Sequence, residues 1–326
     1  SGYSLRFDER WLFSISGRYN DSKISMHDRI DVGDGSLNGE HHFNRFNPAL
    51  GVQYSISPDW DVSLSYSESS RMPSPAELSC ADEDDPCKLP NGFVADPPLN
   101  KVVAKTIEAS VDYHADANTL TVTLYRTKSV DDIIFQQAGV TQSEGHFINV
   151  DKTNRQGAEL SYLYQQDNLV LGASYNYLDA TFESEFITFS PNNPLGGGRQ
   201  VEPGDTIPGQ PQHQVKMHTS WTLNEVLTLG AEWLLSSSSY YRGDEANENK
   251  KLPSYAVANV YANYQVSESV QLSVRIDNAF DRQYNTFGTY GEPDEVLEDV
   301  HPEIDEAFFV GPGSPRRVTA NVQVQF

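Results

Sequence analysis

Apolar side chains recur at every second position in many short segments of this 326-residue chain, and this period limits the possible folds more than any other feature. In an early segment Trp11, Phe13, Ile15 and Tyr19 alternate with mostly small or polar residues. Such alternation is typical of β-strands with one apolar face. It returns in segments that begin near residues 11, 46, 62, 107, 120, 158, 169, 215, 227, 256, 272 and 318. We therefore predict an all-β protein in which roughly twelve antiparallel strands are readable.

The composition excludes several other classes of protein. The chain has 46 acidic and 23 basic residues, and the formal net charge of −23 argues against nucleic acid as a partner, since a polyanion would be repelled. No run of ~18 apolar residues is present, which excludes a helical membrane protein. Aromatic residues make up 11% of the chain, which argues against disorder.

The connections between the predicted strands alternate in length. Short turns lie near residues 57–59, 114–118, 165–168, 222–225 and 266–269, and long loops cover approximately 20–43, 71–101, 136–146, 182–211, 236–254 and 279–315. Aromatic residues lie beside the short turns, at Tyr54, Trp60, Tyr113, Tyr164, Trp221 and Tyr264. Tight periplasmic turns, long external loops and an aromatic girdle are the features of a transmembrane β-barrel. A soluble β-sandwich has no physical reason to sort its loops in this way.

Several blocks of the sequence resemble TonB-dependent outer-membrane receptors. They are residues 46–54, 65–78, 204–213, 252–255, 275–284 and the terminal strand 315–326. The resemblance implies a barrel of twenty-two strands around a plug domain, with residues 1–326 as the C-terminal part of the barrel and with the plug, the TonB box and the first strands outside this chain. It also implies that Phe326 is the signal read by the barrel-assembly machinery. A complete twelve-stranded barrel is the alternative, because an even count is self-consistent.

The function implied by the resemblance is active import across the outer membrane of Gram-negative bacteria, driven through TonB. The favoured cargo is a ferric siderophore or a similar metal chelate, with no covalently bound cofactor. Cobalamin, haem, copper chelates, carbohydrates and other cofactors are alternatives for the cargo. A passive porin-like channel and a non-transporting adhesin or structural barrel are alternatives for the function. We expect no enzyme, because no nucleophile elbow or zinc-protease pattern is present.

Five residues of the long loops are candidates for contact with the ligand, namely Arg71, Arg199, Tyr240, Tyr241 and Arg242. An anionic ligand needs guanidinium donors and aromatic faces. The alternative is that each arginine pairs with a nearby carboxylate. For Arg242 the sequence favours neither pairing with Asp244 or Glu245 nor contact with the ligand. For Arg71 and Arg199 pairing is favoured.

Charged residues also occur on the strands themselves. Those on the inward register are predicted to face the plug or a water-filled lumen, and they are Arg18, Glu108, Asp112, Glu159, Lys216, Glu232 and Arg275. Lys105 and Arg126 fall on the outward register near the external rim. There they would meet lipopolysaccharide phosphates or extend to interfacial water.

Cys80 and Cys87 are the only cysteines of the chain. Their short spacing in an external loop, which lies in oxidising surroundings, favours a disulfide, and two free thiols are the alternative. The acidic segments 82–85 and 292–306 could bind Ca²⁺, but a solvated loop that keeps strand edges soluble is the favoured explanation. We therefore predict no metal site.

Overall fold

The computed structural model describes residues 2–27, 39–78, 87–88, 99–138, 144–190, 193–290 and 308–325. Thirteen strands lie side by side in one antiparallel sheet, each hydrogen-bonded to its neighbours in chain order. They are β1 (Gly2–Phe7), β2 (Trp11–Met26), β3 (Gly39–Ser57), β4 (Trp60–Arg71), β6 (Val102–Ala115), β7 (Asn118–Ala138), β8 (Glu144–Gln166), β9 (Leu169–Phe182), β12 (His213–Asn224), β13 (Leu227–Ser236), β14 (Tyr255–Ser267), β15 (Val270–Asp277) and β18 (Arg317–Val324).

The remaining elements belong to the long connections. They are the one-turn helix α1 (Pro75–Leu78), the short strand β5 (Cys87–Lys88), and two hairpins formed by β10 (Phe186–Phe189) with β11 (Gly198–Val201) and by β16 (Asn285–Tyr290) with β17 (Phe308–Pro312). Strand β5 pairs with the start of β8. No helix among the described residues is long and apolar enough to cross a membrane.

The twelve predicted segments are all strands, and the prediction missed β1. Tyr3, Leu5 and Phe7 alternate as the other strands do, and their side chains are 79%, 67% and 67% exposed. A short turn at residues 8–10 joins β1 to β2. In the part of the chain that the structure describes, β1 pairs only with β2, and β18 pairs only with β15. The alternative of a complete twelve-stranded barrel is therefore wrong, because thirteen strands follow one another in the sheet of the described residues and its two edge strands do not pair with each other.

Several strands are longer than their apolar period. Strands β2 and β3 stay paired from Trp11 and Tyr54 up to Met26 and Gly39. Strands β7 and β8 have 21 and 23 residues. The predicted loops 20–43 and 136–146 are consequently too long. The backbone ladder continues past the apolar segment, where the outward side chains become polar and the period disappears.

The two faces of the sheet differ in chemistry. Leu64, Ile107 and Leu124 lie at the middle of their strands on one face, and each is more than half exposed. On the other face hydroxyl groups bond each other across the strands, as Ser63 does with Ser110 at 2.7 Å. An apolar face that is open to the surroundings and a polar face opposite it match lipid outside and an aqueous or protein-filled interior.

Aromatic residues mark both edges of the apolar face. At the short-turn edge the Trp11 ring lies 4.5 Å from Tyr54, and the Trp60 ring lies 4.6 Å from Tyr113. Tyr19 and Phe46 pair across β2 and β3, eight residues further along each strand. Eight residues of a tilted strand rise about 20 Å, close to the height of the apolar band of such barrels.

Candidate functional site

Three long connections at the external end of the sheet are joined by hydrogen bonds. They are the connection with the β10–β11 hairpin, the segment 237–254 between β13 and β14, and the connection with the β16–β17 hairpin. The amide of Arg242 donates to the Gly288 carbonyl at 3.0 Å, and the amide of Tyr290 donates to the Arg242 carbonyl at 2.9 Å. Asn247 exchanges two hydrogen bonds with the backbone of Thr206. The three connections therefore form one assembly, called here the loop cluster.

A buried carboxylate organises the centre of the loop cluster. Asp244 has no exposed surface. It accepts hydrogen bonds from the amides of Glu248 and Asn249 and from the Asn249 side chain, at 3.0 to 3.1 Å. Asn249 also donates to the side chain of Asn193 in the neighbouring connection. A carboxylate with several such donors is fully occupied and acts as a structural group.

A cleft of about 560 Å³ lies between the loop cluster and the inward face of β7 and β8. The aromatic and aliphatic part of its lining includes Ile134, Phe135, Phe182, Phe189, Ile207, Phe287 and Tyr290. Its polar part includes Asp132, Arg155, Thr188, Arg242 and Glu245. Apolar walls with a few converging polar groups are the usual form of a small-molecule site.

Arg242 is the cation of the cleft that has no carboxylate partner among the described residues. Its guanidinium carbon lies 5.1 Å from the centre of the Phe287 ring, and the side chain is exposed. The pairing with Asp244 or Glu245 that the sequence left open is not formed, because Asp244 is held by Asn249 and Glu245 accepts from the Gly243 amide at 3.1 Å. The five guanidinium N–H donors of Arg242 are available to an anion in the cleft.

The second cation of the cleft is paired. Arg155 contacts Asp132 at 2.9 Å and donates to Thr153. Asp131 adopts a φ of 57°, and the ladder between β7 and β8 skips this residue without a change of register. Asp132, the next residue, lies beside the Arg155 guanidinium.

Two further groups of the cleft, the Glu245 carboxyl and the Tyr290 hydroxyl, have raised pKa values. Burial raises the pKa of the Glu245 carboxyl, and the charge of Asp244 raises it further, although hydrogen bonds from Gly243 and Thr188 oppose the shift. Burial also raises the pKa of Tyr290, and Asp244 adds to this effect. The Tyr290 side chain is 2% exposed, and its hydroxyl has no hydrogen-bond partner within the described ranges. A buried unpaired hydroxyl lining a cleft favours a ligand with a complementary polar atom.

Aromatic packing holds Tyr290 in place. The rings of Tyr241 and Tyr290 stack at 5.7 Å, and Phe308 lies against both at 5.3 and 5.4 Å. The Tyr241 ring covers Gly288, where a Cβ atom would come within 2.5 Å of a ring carbon. Glycine at this position allows the ring to reach the backbone of β16.

The other predicted ligand residues lie around the cleft and not in it. Arg71 pairs with Glu77 of α1 at 2.7 Å. Arg199 of β11 pairs with Glu248 and ties the hairpin to the segment 237–254. Tyr240 lies under the ammonium group of Lys251 at 4.3 Å. The contacts of Arg199 and Tyr240 lie within the loop cluster, whereas the Arg71–Glu77 pair belongs to the connection between β4 and β6. Arg242 alone of the five predicted residues lines the cleft.

Sequence reasoning missed most of the cleft. Tyr290, Glu245, Thr188 and Phe287 come from three separate connections, and no motif links them in the chain. The one signal in the sequence was the run Tyr240-Tyr241-Arg242, which correctly indicated the segment 237–254 as part of the site. The remaining contributors become neighbours only through the hydrogen bonds of the loop cluster.

The predicted inward charges lie on the polar face. Arg275 contacts Glu232 at 2.5 Å and Asp277 at 2.7 Å, and Asp277 also contacts Arg317 at 2.9 Å. Glu159 and Lys216 line a polar depression of about 340 Å³.

The other three inward charges differ in their contacts. Asp112 accepts hydrogen bonds from Ser110 and Thr121. Arg18 lines a third depression on this face, and Glu108 is exposed on β6. The inward wall therefore carries both paired charges and charges open to the lumen.

A broad concavity on the outward side of the sheet is better explained by lipid than by a ligand. It measures about 800 Å³ and is lined by outward residues of β1 to β6, including Leu5, Phe13, Leu50 and Ile107. This surface is almost wholly apolar and lies on the lipid-facing side, where acyl chains fill such a hollow.

Several predicted features fall outside the described residues. They are the Cys80–Cys87 disulfide, the assembly signal Phe326 and the acidic segments 82–85 and 292–306.

Comparison with known families assigns this architecture. The model of the TonB-dependent receptor-like β-barrel matches residues 2–279. This chain belongs to the TonB-dependent receptor family. The resemblance noted in the sequence is confirmed, and the protein is an outer-membrane β-barrel of a family of transporters.

Similar members of this family transport different cargoes. The vitamin B12 transporter BtuB of Photobacterium profundum is 24% identical over 74% of this chain and 35% of its own length. The probable TonB-dependent siderophore receptor PiuA of Acinetobacter baumannii is 22% identical over 87% of this chain and 36% of its own length. The structure of the copper transporter OprC superposes with a TM-score of 0.74 at 16% identity, and the match covers 100% of this chain and 46% of that one. The chain therefore spans less than half the length of the receptors it matches.

Proposed function

We propose that this receptor actively imports an anionic metal chelate of the ferric siderophore class. The observation that carries the proposal is the exposed Arg242 guanidinium over the Phe287 ring, in a cleft that opens on the inward side of the external end. Ferric complexes of carboxylate and catecholate chelators carry negative charge and flat aromatic or conjugated groups. A guanidinium with free donors beside aromatic faces suits such a ligand.

The size and composition of the cleft support this cargo. Its volume of about 560 Å³ lies within the usual range of small-molecule sites. The Tyr290 hydroxyl and the Glu245 carboxyl add polar groups to its lining. The relative PiuA is a probable siderophore receptor, which supports this choice, while BtuB is a transporter of vitamin B12 and OprC is a transporter of copper.

We further propose that additional strands close the barrel around a plug domain that TonB moves. The backbone edges of β1 and β18 face no other strand of the described chain. Open sheet edges are not tolerated in lipid, so further strands must cover them. Inward charges that form no ion pair with another described residue, such as Lys216 and Glu159, suit contact with a plug.

Transport by the full-length receptor tests the proposal. A deletion strain complemented with the wild-type gene should take up radioactive iron from an anionic ferric chelate, and a protonophore should stop this uptake. Unchanged iron uptake from every ferric chelate in the deletion strain would refute iron import. Uptake that continues in the presence of the protonophore would indicate a passive channel.

Substitution of Arg242 tests the cleft itself. We expect Arg242→Ala to weaken binding of the chelate to the purified receptor by about 10- to 100-fold, because one charged contact contributes on the order of 1.5–3 kcal/mol. Arg71→Ala is the matched control, since Arg71 is already paired with Glu77 outside the cleft. Equal affinities for the two variants in titration calorimetry would contradict the assignment of the cleft.

A further inference from the structure

Cationic side chains replace the external aromatic girdle on two adjacent strands. On β2 and β3 the outward residues eight positions from the short-turn girdle are Tyr19 and Phe46. Counting eight positions in the same way from Tyr113 on β6 leads to Lys105, and from Leu120 on β7 it leads to Lys128. Both side chains are exposed and lie on the outward register. The depth at which neighbouring strands place aromatic rings is therefore occupied by two ammonium groups.

The two lysines stand directly opposite each other. Lys105 pairs with Lys128 in the register of β6 and β7, and Ile107 pairs with Arg126 on the same face. Like charges directly opposite on one face of a sheet destabilise the pair. The arrangement brings three cations together on the lipid-facing side of a protein whose net charge is −23.

Nearby carboxylates only partly neutralise this group. Glu183 is shared, at 3.5 Å from Arg126 and 3.2 Å from Lys128. Glu68, opposite Lys105 on β4, is held by Arg45 and by the Tyr66 hydroxyl. Lys105 has no ion pair among the described residues, so positive charge remains at the external rim.

A charge at this depth must meet water or a counter-ion. Snorkelling to interfacial water accounts for a lone lysine, but it does not account for two opposed lysines beside an arginine. The lipid that surrounds an outer-membrane barrel at its external rim is lipopolysaccharide, whose phosphate groups lie at the level of the external girdle. Phosphate oxygens are strong acceptors for ammonium and guanidinium groups.

We propose that Lys105, Lys128 and Arg126 form a binding site for the phosphate groups of one lipopolysaccharide molecule on the outer wall of the barrel. The bound phosphate relieves the repulsion between the opposed lysines. The apolar outward residues below them, Ile107 and Leu124, receive the acyl chains. The site is separate from the cleft of the loop cluster, which opens on the inward face.

Lipid retention by the purified full-length receptor tests this site. Lipid A that remains bound after detergent washing is quantified by mass spectrometry for the wild type and for the double variant Lys105→Gln/Lys128→Gln. Each lysine near an anionic lipid surface contributes roughly a factor of five to binding. We therefore expect the double variant to bind lipopolysaccharide about 25-fold more weakly. The Lys105→Arg/Lys128→Arg variant should retain the lipid.

Lys23→Gln is the matched control. Lys23 is also an exposed lysine, but it pairs with Glu40 at 2.8 Å on the extended part of β2 and β3. Substitution of Lys23 should leave lipid retention unchanged. Resistance of the unheated barrel to unfolding in detergent is the check that every variant is folded. Equal lipid A content in the wild type and the double glutamine variant would overturn the proposal. Displacement of lipopolysaccharide by inorganic phosphate or by equal amounts of phosphatidylglycerol would also overturn it.

Discussion

Asn278 shows at the scale of one residue why the block 275–284 has its particular sequence. It follows β15, has a φ of 47° and is 2% exposed. Its side-chain amide donates to the carbonyls of Arg282 and Ser314 at 2.9 and 3.0 Å, and its side-chain oxygen accepts from the Arg282 amide at 2.8 Å. Asparagine tolerates a left-handed conformation, and here it also satisfies buried backbone groups.

We expect Asn278→Ala to destabilise the barrel by about 2–4 kcal/mol, because three hydrogen bonds are lost and the left-handed conformation becomes costly. Asn278→Gly loses the same bonds without the backbone cost, so it should be roughly 1 kcal/mol less harmful. Urea unfolding of the full-length receptor in detergent, followed by tryptophan fluorescence, measures both. Equal stability of the two variants would show that the left-handed conformation carries no cost.

The raised pKa of Glu245 predicts that the stability of the loop cluster depends on pH. Its pKa in the folded protein is raised above the ordinary value of 4.5, first by burial. The contribution of this carboxyl to stability is therefore complete below its unfolded pKa and is lost as the pH rises through the raised folded pKa. Glu245→Gln cannot ionise, so the variant should be better protected than the wild type at about pH 8 and equally protected at about pH 4.

The measurement is hydrogen exchange of peptides from the segment 237–254. The wild type and Glu245→Gln are compared at each pH, because a comparison at one pH removes the intrinsic effect of pH on exchange. Weaker protection of the glutamine variant at the higher pH would contradict the raised pKa.

At the scale of elements, the packing of one ring on one strand joins the loop cluster together. The Tyr241 ring lies on β16 at Gly288, and backbone bonds of Arg242 with Gly288 and Tyr290 continue this contact. A side chain at residue 288 would push the ring away from the strand. The cleft depends on this contact, because Arg242 follows Tyr241 in the chain, Phe287 precedes Gly288, and both residues line the cleft.

Gly288→Ala should destabilise the loop cluster by about 1–3 kcal/mol, because its Cβ atom would come within 2.5 Å of the Tyr241 ring. Gly198→Ala is the matched control in the other hairpin, where no atom lies within 4 Å of an added Cβ. Limited proteolysis of the folded receptor, with rates of cleavage in the external loops, measures the difference. Equal cleavage rates in the two variants would contradict the tight contact.

At the scale of the whole molecule, the orientation of the sheet decides the cost of a charge. Leu124 lies on the outward face near mid-height and is 58% exposed, while the adjacent Thr123 lines the polar depression of the inward wall. The two residues differ by one position along β7, yet one meets lipid and the other meets the lumen.

Leu124→Arg should destabilise the barrel by about 2–4 kcal/mol, the usual cost of arginine on the lipid face near the midplane. Thr123→Arg should have little effect, since the new guanidinium lies in the lumen opposite Glu159. Equilibrium folding of the full-length receptor into lipid vesicles gives both free energies. A similar cost for the two variants would contradict the assignment of the faces.

The period of two determined the strands, and the alternation of loop lengths determined which end is external. Both signals are local, because lipid on one face requires an apolar residue at every second position and tight turns require few residues. Strand β1 was missed although Tyr3, Leu5 and Phe7 follow the same rule. The ends of β2 and β7 were placed too early and the starts of β3 and β8 too late, since the apolar period stops at the membrane surface while backbone pairing continues.

The tertiary structure alone decided which loop residues share the cleft and which cations are paired. Arg199 and Arg242 are both loop arginines in the sequence, but Glu248 holds one and the other lies over Phe287. Partners such as Phe287 and Tyr290 are more than forty positions from Arg242 and meet it through long-range backbone hydrogen bonds. Contacts of this kind depend on how separate loops fold against each other, and no local period encodes them.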